Sequence, residues 1–97
     1  MAIRALNESE IAKEMESAEL WKREGREIVR LFQFGGFMDS IRFVNAVAKA
    51  AEKADHHPDI LIQYSKVTLR LSTHDCNGLS ARDFALAKTA DDLASRC

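Results

Sequence analysis

A chain of 97 residues is long enough to bury one modest core and too short for two, so one domain spanning 1–97 and one site are expected. Apolar residues make up 46% and charged residues 30%, the balance of a soluble globular protein and not of a disordered tail or a membrane span. The formal charge is −1 with acids and bases mixed along the length, which leaves no electrostatic footprint for direct binding of nucleic acid.

The first residues, Met1-Ala2-Ile3-Arg4-Ala5-Leu6, run straight into polar Asn7-Glu8-Ser9-Glu10. That apolar stretch is too short for a signal peptide or a transmembrane helix, so a cytoplasmic protein without membrane contact is expected. Cys76 and Cys97 lack metal-type spacing, and both are read as reduced thiols. Asn7 with Glu10 three residues later has the form of a capping box, and Ile11, Met15 and Ala18 follow at helical spacing. From Trp21 to Phe34 the pattern changes to a hairpin with unequal arms: Glu24-Gly25 reads as the turn and Glu27 to Phe34 is rich in β-branched and aromatic residues.

Gly35-Gly36 ends that strand. Phe37, Ile41, Val44, Ala48 and Ala51 then form one stripe on a long helix. The helix should end near Asp55, because Pro58 drives His57 out of the helical region. Ile60 to Tyr64 and Val67 to Thr73 read as a second hairpin. With Ser65-Lys66 as its turn, Tyr64 faces Val67, Ile62 faces Leu69 and Ile60 faces Leu71, and two steps beyond Asp59 and Ser72 the register sets His57 against His74. Ser-Lys is not the usual chemistry of a tight hairpin turn, which leaves room for a longer loop. Ser80 and Asp83 form a second capping box, flanked by a Leu79–Phe84 hydrophobic staple, and start a last helix with Leu86, Ala90, Leu93 and Cys97 on one face. The order is helix, two strands, helix, two strands, helix. The simplest architecture that buries these stripes is an α+β two-layer sandwich, α-β-β-α-β-β-α, with helices on one face of a four-stranded antiparallel sheet.

All three histidines of the chain, His56, His57 and His74, fall in one region of that arrangement. Imidazole titrates near neutrality, so such a group can give and take protons in one turnover. The preceding helix C-terminus favours a protonated ring, and Glu52, Asp55 and Asp75 are placed to orient one. The chemistry suggested is proton transfer. Plainer readings compete: a histidine near a strand end is usually a surface or capping residue, and His-His-Pro alone does not exceed that. A three-histidine zinc site is disfavoured, since neighbours on an extended chain point to opposite sides and no finger-like spacing occurs. Gly35-Gly36 lacks a phosphate-loop pattern, Cys76 near His74 reads better as a half-buried thiol than as a nucleophile, and Trp21, Phe32 and Phe34 read as core.

An acidic or basic residue ahead of His56-His57-Pro58 (Glu52 or Lys53), then Tyr64, then Leu71-Ser72-Thr73-His74, then Gly78-Leu79-Ser80 and Arg82-Asp83, occur here in order, with Trp21 and Gly35-Gly36-Phe37 before them. Over nearly its whole length the chain thereby resembles the pterin-4a-carbinolamine dehydratases, a family also described as dimerisation cofactors of a homeodomain transcription factor. The resemblance implies the same two-layer fold and loss of water from 4a-hydroxytetrahydropterin to give the quinonoid dihydropterin, in tetrahydrobiopterin recycling, with no metal and no organic cofactor. It implies His56 and His74 as an acid and base pair, in an order left open, with His57 positioning substrate. Glu52, Asp55, the backbone of Ser72 and Thr73, and Arg82 with Asp83 are the implied substrate-binding residues. The family often carries tryptophan where Ile60 stands, which puts a stacking surface for the pterin in doubt. Besides the small-molecule pterin, the implied partner is a second copy, as homodimer or homotetramer. The alternative function is a non-catalytic interaction module acting as a transcriptional coactivator.

Overall fold

The structure is a computed structural model that describes residues 3–97; Met1 and Ala2 of the N-terminal stretch lie outside them. The elements run α1 (Glu8–Ser17), β1 (Lys22–Glu24), β2 (Glu27–Gln33), α2 (Phe37–Ala54), β3 (Asp59–Gln63), β4 (Lys66–Leu71), a single 3-10 turn (His74–Cys76) and α3 (Ala81–Ala94). The four strands form one antiparallel sheet in the order β1-β2-β4-β3. The α+β order and the helix-covered sheet expected from the sequence are both present. Among the described residues no helix is long and apolar enough to cross a membrane.

Both expected capping boxes form. Asn7 accepts from the Glu10 backbone N–H while the Glu10 carboxylate accepts from Asn7 N–H, which fixes the start of α1. Arg4, hydrogen-bonded to the Glu10 carboxylate, and then the Asn7 N–H hold that carboxyl down at about 2. Its contribution to stability is therefore present above the ordinary carboxylate range and fades as pH falls toward that value. At the other end, Leu79 and Phe84 are buried on either side of the Ser80 cap of α3.

The core lies between the sheet and the helices α2 and α3. Ile28, Phe32, Val67, Leu69 and Leu71 present the covered face of β2 and β4 to Phe43 and Val47. Phe43 is fully buried, with its ring centroid 4.6 Å from Phe32 and 5.0 Å from Phe34, while Trp21 meets Phe32 edge-on and donates from Nε1 to Asp91 on α3 at 2.9 Å.

Several expectations are corrected. The buried line of α2 is Ser40, Phe43, Val47 and Ala51; of the expected stripe only Ala51 is buried, Ile41 and Val44 are half-buried, and Phe37 and Ala48 are exposed. The helix carries two adjacent apolar lines, and the sheet takes the one holding Phe43. In α3 the helix ends at Ala94 and Cys97 is exposed, so the stripe stops short of the C-terminus. The first turn falls on Gly25-Arg26 because Glu24 pairs with Glu27, with Gly25 at a positive φ of 63° in the first central position.

The second hairpin turns on Tyr64-Ser65, one residue earlier than expected. Gln63 pairs with Lys66, Ile62 with Val67 and Ile60 with Leu69, a two-residue change of partner that keeps every side chain on its expected face. Phe34 N–H donates to Ser65 O at 2.8 Å, and Lys66 pairs with Gln33, so neighbouring β2 fixes where β4 begins. Tyr64 takes the positive φ of 56° that this turn requires. Replacing Phe43 by alanine should lower the free energy of unfolding by about 3–5 kcal/mol, read from urea denaturation. A loss below about 1 kcal/mol would show that this ring is not central to the core.

Candidate functional site

The site grows from the end of α2. Asp55 closes the helix in the left-handed conformation, with φ 51°. Its N–H reaches Glu52 O, and the N–H of His56 reaches Ala51 O at 3.0 Å, the paired bonds of a Schellman motif. The chain thus leaves the helix abruptly and turns His56 inward and His57 outward. His56 is 8% exposed, whereas His57 is exposed and pairs through Nε2 with Glu52 Oε1 at 2.6 Å.

Inside, His56 Nε2 stands 2.6 Å from Asp83 Oδ1. Asp83, fully buried, is the third residue of α3, and its other oxygen accepts from the Ser80 backbone N–H at 2.9 Å and from the Thr73 hydroxyl at 2.8 Å. The Thr73 and Ser80 hydroxyls are 2.7 Å apart. Three elements therefore meet in one buried polar knot: the end of α2, the start of α3, and the chain just after β4. A buried charge is tolerated only with such partners. None of the buried side-chain polar atoms among the described residues lacks a partner.

His74 sits elsewhere than the expected strand pairing put it. The observed register, carried two residues past Asp59 and Arg70, sets His57 against Ser72. β4 ends at Leu71, and His74 opens the 3-10 turn instead. That loop is tied by Thr73 N–H to Gly78 O at 2.8 Å, and Asn77 closes it at φ 54°. It presents His74 as an exposed side chain.

Two hollows adjoin these histidines. His56 lines an apolar cleft of about 150 Å³ between α2 and α3, with Ala50, Ala54, Arg82, Ala85 and Leu86. His74 lines a second hollow of about 190 Å³, with Arg26, Glu27, Ser72, Thr73 and Asn77. Thr73 is the residue common to the knot and the second hollow. Of the residues singled out in the sequence, the structure joins His56, Thr73 and Asp83 by hydrogen bonds, joins His57 to Glu52, and sets Ser72 beside His74. Arg82 borders the cleft through α3, and Asp55 is exposed at the helix end. The three imidazoles share no hydrogen bond with one another among the described residues. No three His, Cys, Asp or Glu residues come together as metal ligands among the described residues.

Ser80 was missed as a member of the site. Its signal is present in the capping box and in the Gly78-Leu79-Ser80 stretch of the family resemblance, neither of which assigns it a site role; that Thr73 takes part through its hydroxyl, and not only its backbone, depends on the loop after β4. The alanines of the cleft carry no recognisable sequence signal. Replacing Asp83 by alanine should cost about 3–5 kcal/mol of stability, measured by urea denaturation, because His56, Thr73 and Ser80 all lose their acceptor. A cost under about 1 kcal/mol would contradict the knot as drawn.

Comparison with known proteins gives consistent results. A family model described as pterin 4 alpha carbinolamine dehydratase matches residues 4–93. A curated protein of Picosynechococcus sp., provisionally named a pterin-4-alpha-carbinolamine dehydratase, is 46% identical over 91% of this chain and 96% of its own. A protein of Chloroflexus aurantiacus with the same provisional name is 48% identical over 91% of this chain and 95% of its own. Among solved structures, a transcriptional coactivator/pterin dehydratase from Brucella melitensis superposes with a TM-score of 0.91 at 31% identity, covering 94% of this chain and 99% of that one.

Proposed function

Because the chain belongs to the pterin 4 alpha carbinolamine dehydratase family, we propose that it removes water from 4a-hydroxytetrahydrobiopterin to give the quinonoid dihydropterin, in tetrahydrobiopterin recycling. The observation that carries the mechanism is the buried His56–Asp83 pair, linked through Thr73 to the hollow that holds His74. In the elimination one group protonates the departing 4a-hydroxyl, which leaves as water, while another takes the proton from the adjacent ring nitrogen; the new double bond forms between that nitrogen and the 4a carbon. One proton enters and one leaves, which is work for two imidazoles.

His56 and His74 are the acid and base pair of this reading. His57, held by Glu52, positions substrate. Ser72 and Thr73 meet the pterin edge through their backbone, and Arg82 and Asp55 border it, while Asp83, fully buried, acts behind His56. Ile60, 36% exposed on the edge strand, offers no aromatic face, so affinity suffers more than chemistry. The protein works in the cytoplasm as one domain over 1–97, without a metal or organic cofactor. Freshly made 4a-hydroxytetrahydropterin and purified protein test this directly: quinonoid product should form well above the buffer rate. His56→Ala and His74→Ala should each lower kcat/KM by about 10²-fold or more. No acceleration, or full activity in His74→Ala, would overturn the reading.

A second function, as an interaction module, is favoured by one observation: α2 leaves Phe37 and Met38 exposed beside half-buried Ile41 and Val44, and every residue of β3 is exposed at a free sheet edge. Such surfaces suit a homodimer or homotetramer, and beyond that a protein partner for a coactivator role. Light scattering should give the mass of a dimer or tetramer at working concentration; monomer mass would count against it. A pull-down that enriches no macromolecule while dehydration proceeds would leave the coactivator role unsupported.

A further inference from the structure

The buried knot has a direction, and that direction follows from counting protons. A backbone N–H can only donate, so the Ser80 amide makes Asp83 Oδ2 an acceptor at 2.9 Å. Thr73 has a single hydroxyl proton and stands 2.8 Å from the same oxygen. Ser80 Oγ, 2.7 Å from Thr73 Oγ1, already accepts from the Arg82 backbone N–H at 3.2 Å. One assignment gives every contact a donor and an acceptor: Ser80 O–H donates to Thr73 Oγ1, and Thr73 O–H donates to Asp83 Oδ2. The reverse order would turn a lone pair of Thr73 toward a carboxylate oxygen that is already accepting.

Asp83 is then an acceptor at both oxygens, seated in the first turn of α3 where the helix favours negative charge. The contact of 2.6 Å to Oδ1 must be supplied with a proton by His56 Nε2. The other ring nitrogen, Nδ1, makes no hydrogen bond among the described residues. It is not one of the buried unpartnered polar atoms either, so it reaches solvent from a ring that lines the α2–α3 cleft. Fixing one nitrogen of an imidazole through the hydrogen bond of the other is how a neighbour chooses the working atom.

We propose that Thr73 and Ser80 are positioning residues for His56: their hydroxyls form a one-way donor chain onto Asp83 that holds the ring as the Nε2–H tautomer and leaves Nδ1 to give and take protons. The neutral ring accepts a proton at Nδ1 to become imidazolium and returns it there, while the Nε2 proton stays on Asp83's side throughout. The catalytic use of Nδ1 rests on the dehydratase reading; the tautomer does not.

The test is a long-range proton–nitrogen NMR correlation on the full chain labelled with 15N-histidine, with the His56 signals assigned by their loss in His56→Gln. The parent should show a protonated, slowly exchanging Nε2 and an unprotonated Nδ1 in the neutral ring. Thr73→Val should speed exchange of that ring proton and move both nitrogens toward the averaged shifts of an unrestrained imidazole, and Thr73→Ser should regain the parent signature. In turnover, Thr73→Val should lower kcat by about tenfold or more with KM changed far less, and Thr73→Ser should recover most of that loss. Ser80→Ala should shift the ring signals in the same direction as Thr73→Val. A parent ring protonated at Nδ1, or a Thr73→Val ring indistinguishable from the parent, overturns the proposal. If Thr73→Val fails to fold, the parent tautomer and the Ser80→Ala shifts decide it. The expected ring signatures in the parent, Thr73→Val and Ser80→Ala without dehydration activity in the parent would sink the dehydratase reading and support the positioning role of the two hydroxyls.

Discussion

The contact between His56 and Asp83 is where the helices, the sheet and the candidate chemistry depend on one another. It joins the C-terminus of α2 to the N-terminus of α3, so each partner sits at the helix end whose partial charge suits it when the pair is ionised. Two ionisable groups at 9% and 0% side-chain exposure would be costly to bury alone. Ser80 N–H and the Thr73 hydroxyl both donate to the other carboxylate oxygen of Asp83, and this satisfaction is what makes the burial tolerable. Thr73 also anchors the loop that carries His74, so the same knot that fixes one histidine sets the base from which another is presented.

The division of labour among the histidines follows from backbone geometry. The Schellman ending of α2 at Asp55 reverses the chain within one residue, which is why adjacent side chains end in opposite environments, His56 inside and His57 in solvent beside Glu52. His74 is held at the rim by a tight loop and not by strand pairing. A buried, oriented ring and an exposed one differ in freedom and hydration, and a proton-transfer pair gains from such a difference because the two members must act in opposite senses. On the proposed dehydratase function this asymmetry would serve an elimination from a pterin carbinol, which needs both senses in one turnover.

Much of this was legible in the residues. The two capping boxes, Asn7 with Glu10 and Ser80 with Asp83, are short-range chemistry and formed as expected. The strand faces were legible too, because alternation survives a two-residue change of partner. What the sequence could not decide is what depends on neighbours. The turn at Tyr64-Ser65 is set by the bond from Phe34 and the pairing of Lys66 with Gln33, and both belong to β2. Two apolar lines run side by side on α2, and only contact with Phe32 and Phe34 selects Phe43 over Phe37. The sequence supports three imidazoles with Asp83 and the Thr73 backbone among the residues around them; the structure adds the hydroxyls of Thr73 and Ser80 behind His56, because a capping serine and a threonine after β4 come within reach only once α3 packs back.

The most direct measurement is a double-mutant cycle of His56→Gln and Asp83→Asn on the free energy of unfolding in urea. If their contact organises the fold and the site, the two losses should fall short of additivity by about 1–3 kcal/mol. Additive losses, within about 0.5 kcal/mol, would show two independent side chains and contradict the account.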